Sequence, residues 1–110
     1  MSILGAHNIK LKVMLYESAT RLLKQAICDL EAGDFASHAQ NIEKTKDIIA
    51  ELKSALDTDP GGQTAQNMRQ FYVFISQGLS EATHKHDPKI LYEMVDILEE
   101  LNKTWRQATY

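Results

Sequence analysis

His84, His86 and Asp87 fall in one short stretch, and two imidazoles with a carboxylate are side chains that zinc takes as ligands. The stretch runs into Pro88, which marks a chain turn, and no fourth ligand converges on it, so we read it as an exposed linker. Asp57-x-Asp59 followed by Gly61 and Gly62 is similar to the start of a calcium loop. The twelfth position of such a loop carries a bidentate Glu; here it is Met68, and Pro60 interrupts the run. A solvated turn is the better reading. Di-iron bundles take a Glu-x-x-His motif from each of two helices plus further inward carboxylates, a set this chain does not supply. Ser18, Ser37, Ser54, Ser76 and Ser80 have no patterned His and Asp partners. Cys28 is expected as a small core or boundary residue of a helix rather than a nucleophile. Gly61-Gly62 lacks the Lys and the Ser or Thr of a phosphate loop. Neither metal nor cofactor is expected, and the chain does not read as an enzyme.

The elements that would position any site are four. Breaks fall at Ala32-Gly33-Asp34, at 57–62 and at 84–88, leaving segments at about 9–31, 35–56, 64–84 and 88–108. Each segment shows helical periodicity, and none alternates with period two. The expected stripes are Leu11, Leu15, Ala19, Leu22, Ala26 and Leu30; Ala39, Ile42, Thr45, Ile49, Leu52 and Leu56; Met68, Phe71, Tyr72, Ile75, Leu79 and Ala82; and Leu91, Met94, Leu98, Leu101 and Trp105. Gly33 suits a left-handed helix end, Asp34 a following cap, and Asp87-Pro88 a helix start. Glu17 with Arg21, Glu81 with Lys85 and Glu99 with Lys103 stand at the i,i+4 spacing of helical ion pairs. Short connections force neighbours antiparallel. The expected fold is all-α: one domain over 1–110, an elongated up-down four-helix bundle spanning 9–108 behind a short N-terminal segment, 1–8.

Composition narrows the function. The 110 residues hold one domain, and 44% apolar with 25% charged residues is the balance of a globular chain, not a disordered one. The net charge of −3 is spread along the chain, which argues against nucleic acid as a partner. A single cysteine excludes a disulfide framework and fits a reducing cytosol. No apolar run approaches the ~18 residues of a membrane span, and 1–8 lacks the basic and apolar regions of a secretory signal.

What remains is apolar surface. On a helical wheel Ile48 falls about 60° from the centre of its stripe. Phe74 falls about 110° from its own, with Val73 nearly opposite the stripe. Ile90 and Ile97 broaden the fourth stripe, and Tyr16, Leu23 and Ile27 broaden the first. Broad arcs also serve a bundle whose helices each touch two neighbours. Taken together, the off-stripe residues point to a groove for an amphipathic partner helix.

Several runs carry a family resemblance. Met14-Leu15-Tyr16-Glu17 with Leu22-Leu23-Lys24-Gln25-Ala26 resembles the opening helix of the FliS family of flagellin export chaperones. Ile42-Glu43-Lys44-Thr45-Lys46-Asp47-Ile48-Ile49-Ala50-Glu51-Leu52, then Leu56-Asp57 and Gly61-Gly62, is similar to the family's most recognisable run. Tyr72, Leu79 and Ala82, and then Glu99-Glu100-Leu101 and Trp105, follow in order, so the resemblance covers roughly 11–106. Thr83 stands where the family commonly has Asn, and His7-Asn8-Ile9-Lys10 replaces its Ser-Pro-type start. The family's longer N-terminal segment can cover the binding surface, so self-capping is not expected here.

The resemblance implies a cytosolic chaperone of antiparallel helical fold. It would bind the disordered C-terminal segment of flagellin, block premature polymerisation and deliver the subunit to components of the export apparatus. The residues expected to contact that segment are Tyr16, Ile27, Lys44, Ile48, Leu52, Tyr72, Val73, Phe74, Ile90 and Ile97. Lys44 and Lys46 are placed to meet acidic groups on it. The competing reading is a structural bundle that self-associates through the same apolar flank as a homodimer, with no export role.

Overall fold

The computed structural model describes residues 2–56 and 63–109, and the side chains of 9–56 and 66–107. Four helices follow one another: α1 (Ser2–Glu31), α2 (Phe35–Ala55), α3 (Gln63–Lys85) and α4 (Pro88–Thr109). The break expected at 57–62, with its calcium-like aspartates, lies outside the described residues. The segment 1–8 was expected to precede the first helix; instead α1 begins at Ser2. It holds no proline, and a single glycine costs a helix only about 1 kcal/mol. At 30 residues α1 is about 45 Å long. It accounts for most of the 48 Å long axis of the molecule, whose other extents are 23 and 18 Å.

The turns follow their local chemistry. Gly33 takes φ +76°, its N–H donates to the Leu30 carbonyl at 3.0 Å, and the Asp34 N–H donates to the Asp29 carbonyl at 2.8 Å. Those two bonds satisfy the last carbonyls of α1 in a Schellman turn. Asp34 caps α2 by accepting from the Ser37 N–H at 3.1 Å. Asp87 does the same for α4, accepting from the Lys89 N–H at 2.9 Å, with Pro88 in the first helical position. His86 ends α3 at φ 51°, an uncommon conformation for a non-glycine residue.

Residue pairings fix the directions. Glu17 pairs with Arg106 and Lys24 with Glu99, so α1 and α4 run in opposite senses. Phe35 and His38, at the start of α2, meet His86 at the end of α3, so those two also run oppositely. The helices form a bundle in which α1 packs most extensively, against α2 and α4.

The core differs from the expected stripes mainly on α1. Its buried face is Tyr16, Ala19, Leu23, Ala26 and Ile27, with Lys12 and Asp29, while Leu15, Leu22 and Leu30 are only half-buried and Leu11 is 46% exposed. The stripe is rotated by one residue, so the flank residues Tyr16, Leu23 and Ile27 are its centre. That rotation also brings Cys28 to the surface rather than the core. On α2 the stripe stands at Ile42, Thr45, Ile49, Leu52 and Leu56, but His38 is buried where Ala39 was expected. On α3 Tyr72, Ile75, Leu79 and Ala82 are buried and Phe71 is not; on α4 Val95 joins Leu91, Met94 and Leu98. Among the described residues, no helix is long and apolar enough to cross a membrane.

Candidate partner-binding surface

The ten residues expected to contact a partner divide in two. Tyr16, Leu52 and Tyr72 have no exposed surface and Ile27 has 4%, so the folded bundle holds these four in its core, away from any partner. Ile48, Ile90 and Ile97 are half-buried and pack on the core edge, and Lys44 is exposed on α2. Val73 and Phe74 are open to solvent, with Phe74 52% exposed.

The structure gathers three of these residues and adds one. Phe71, Phe74 and Ile97 line a groove between α3 and α4, with Asn67 and Gln70 at its rim. A second depression continues over the outer face of α3, between Arg69, Gln70, Val73, Phe74 and Gln77. Phe71 was expected in the core. It precedes the buried Tyr72 by one residue, a turn of about 100° on the helix, and that carries its ring outward. At Gly78, about one turn from Phe74, α3 comes close to α4: a Cβ there would stand 2.9 Å from the Met94 sulfur.

This face is unusual in its polar residues as well. From Gln63 to Ser80 the only charged residue is Arg69, and the polar positions are mostly Gln and Asn. A helix face kept in water ordinarily carries Lys and Glu, whereas the centres of protein interfaces are depleted in both because docking would strip their hydration. Three exposed apolar side chains in sequence positions 71–74, ringed by amides, have the composition of a docking face.

Behind this face lies a buried polar pair. The Tyr16 and Tyr72 hydroxyls are 2.7 Å apart, with ring centroids at 6.4 Å. Burial pushes both phenols above their ordinary pKa, for Tyr16 against the lowering effect of its hydrogen bonds. Nearby the Lys12 ammonium sits 4.5 Å from the centre of the Trp105 ring, which lets a mostly buried lysine keep a favourable contact.

At the α1–α2 turn, Asp29 accepts hydrogen bonds from Gln25 at 2.9 Å, Ser37 at 2.7 Å and Asn41 at 2.8 Å. The Ser37 hydroxyl is the largest cause holding its carboxyl below the usual range. His38 Nδ1 lies 2.9 Å from the Ala26 carbonyl, and because a carbonyl only accepts, that nitrogen carries the proton. His86 stacks on Phe35 at 4.6 Å and stands edge-on to His38 at 5.8 Å. The stretch from His84 to Asp87, read as an exposed linker, therefore has one ring packed on α2. His84 is exposed, and the chain's single Glu-x-x-His spacing, Glu81 to His84, leaves Glu81 paired with Lys85 at 2.6 Å. Among the described residues no group of three or more His, Cys, Asp or Glu could hold a metal ion.

Comparison with known proteins places the chain in a family. Residues 1–110 match the family described as FliS, flagellar protein FliS. The chain is similar to the flagellar secretion chaperone FliS of Vibrio cholerae, 32% identical over 98 residues that cover 89% of this chain and 72% of that protein. It is 28% identical over 109 residues to the flagellar secretion chaperone FliS of Salmonella typhimurium, covering 98% of this chain and 81% of that one. With the flagellar secretion chaperone FliS of Bacillus subtilis the identity is 25% over 99 residues, 90% of this chain and 73% of the other.

Proposed function

This chain belongs to the FliS family of flagellar secretion chaperones, and from that premise we propose that it binds the disordered C-terminal segment of flagellin in the cytosol. Holding that segment keeps the subunit from polymerising early and presents it to the export apparatus. The observation that carries the reading is the charge-poor face of α3, where Phe71, Val73 and Phe74 stand exposed beside the Ile97 groove. An amphipathic segment that folds on docking would bury its apolar side against these rings. Ordering that segment costs free energy, so the affinity per area is modest while the contact can be long. Ile48, Ile90 and Lys44 are candidates for contacts further along the same segment.

Calorimetry with a flagellin C-terminal peptide tests this. The expected result is one-to-one binding with a negative heat-capacity change, the mark of apolar burial. No heat and no heat-capacity change at any temperature would sink the reading. The competing reading, a self-associating bundle, uses the same exposed rings. A tight dimer that persists in sedimentation when the peptide is added would favour it.

A further inference from the structure

A separate groove runs between α1 and α4 and is built of other material. Its walls are Glu17, Thr20, Arg21, Lys24, Gln25 and Cys28 from α1, faced by Glu99, Asn102, Lys103 and Arg106 from α4. No large apolar side chain lines it, so it does not suit the apolar stripe of a helix. Four cations face two carboxylates there, in a chain whose net charge is −3.

The sequence spacing would pair each carboxylate with a cation on its own helix, Glu17 with Arg21 and Glu99 with Lys103. The structure does otherwise. Glu17 reaches across to Arg106, and Glu99 reaches across to Lys24 at 3.1 Å. The two bridges sit seven residues apart on each helix, about 10 Å along the axis. Arg21 and Lys103 lie between them on opposite walls, and among the described residues neither has an ion-pair partner. Both are exposed. The crossed bridges hold the walls together and leave a doubly positive midsection.

We propose that this groove is a docking site for an acidic protein segment that sets carboxylates against Arg21 and Lys103, separate from the apolar face of α3. Charge complementarity selects the occupant. Two isolated cations are too few to track a nucleic-acid backbone, whose binding rests on many phosphate contacts. The groove shares no residue with the α3–α4 groove, so both can be filled at once. A chaperone so built could hold its client on one side of α4 while an acidic partner engages the other.

The probe is a capped Glu–Ala repeat peptide, with its Gln–Ala counterpart as control, titrated into the full chain at low salt and followed by amide chemical shifts. The expected shifts cluster at Arg21, Lys24, Lys103 and Arg106, are absent with the Gln–Ala peptide, and fade as salt is raised. Arg21→Gln with Lys103→Gln should weaken the acidic peptide about tenfold or more, without changing the melting temperature. Phe74→Asp should leave it unchanged, which separates this site from the flagellin reading. The proposal is overturned if the shifts map elsewhere or survive the double variant. It is equally overturned if inorganic phosphate at the same concentration saturates the site, or if the free chain is a dimer that buries these residues.

Discussion

On the α3 side of α4, Phe71, Phe74 and Ile97 line a groove rimmed by amides; on the α1 side, six charged residues line a groove with no large apolar side chain. The two lie on one helix pair each and share α4, yet they would read different partners. The first offers area and asks the partner for apolar side chains. The second offers little area and asks for charge. An apolar contact gains from water release and tolerates salt, while an exposed charged contact is screened within about 10 Å at ordinary ionic strength. Two partners of such different chemistry need not compete.

The sharpest way to break the contrast is to remove what supports both grooves. Tyr72 is buried behind the α3 face with its hydroxyl on Tyr16. Tyr72→Ala should lower stability by about 3–5 kcal/mol in urea denaturation, the scale of deleting a buried aromatic side chain. Loss of peptide binding in that variant would be loss of fold. Phe74→Asp is the complementary change. It should weaken the flagellin peptide by at least thirtyfold, about 2 kcal/mol, while circular dichroism and melting stay as in the parent. If it unfolds the chain instead, Phe74 is structural and the surface assignment fails.

Salt sharpens the contrast further. Raising it from about 0.05 M to about 0.5 M should change flagellin-peptide affinity far less than acidic-peptide affinity, since from Gln63 to Ser80 the α3 face carries only Arg69 as a charge and Lys44 is the single charged side chain among the other proposed contacts. A steep fall would place the peptide in the α1–α4 groove. Smallest of all should be the crossed bridges. All four of their side chains are about half exposed, so Glu17→Gln with Glu99→Gln should cost no more than about 1 kcal/mol. The tyrosine pair adds a pH dependence of known sign. Both phenols hold their protons in the fold beyond the ordinary value of 10.0. Above that pH the unfolded chain has lost protons that the folded chain keeps, so stability falls as pH rises and is unaffected by these groups below it. Tyr16→Phe should flatten that alkaline limb in pH-dependent denaturation.

Much of this was legible in the residues, for reasons that can be named. Gly33, Asp34, Asp87 and Pro88 announce their turns because each has a local conformational preference that tertiary packing did not override. The α2 stripe was legible because its other faces are polar. The α1 register was not, because Leu11, Leu15, Leu22 and Leu30 compete with Tyr16, Leu23 and Ile27, and only the partner helices decide between them. Phe74 and Val73 were found as surface from the helical wheel alone. Phe71 was missed because an aromatic ring next to a core tyrosine reads as core. Nor does spacing reveal that Glu17 and Glu99 prefer cations on a facing helix, since i,i+4 pairs are the only ones a linear sequence displays. The family resemblance, carried by runs at both ends of the chain, agrees with the match over residues 1–110.

The Gly33 turn has a kinetic side. Ala32, Gly33 and Asp34 alone separate α1 from α2, and a loop so short closes on a timescale far below a microsecond. The hydrogen bonds that lock this corner, from Ser37 and Asn41 to Asp29 and from His38 to Ala26, draw on nothing beyond position 41. During synthesis at roughly 5–20 residues per second, the remaining two-thirds of the chain takes several seconds to emerge. The first corner of the bundle therefore has its hydrogen bonds available while most of the molecule is still unmade; the His86 ring that packs on Phe35 and His38 comes later, and α4, which completes both grooves, later still.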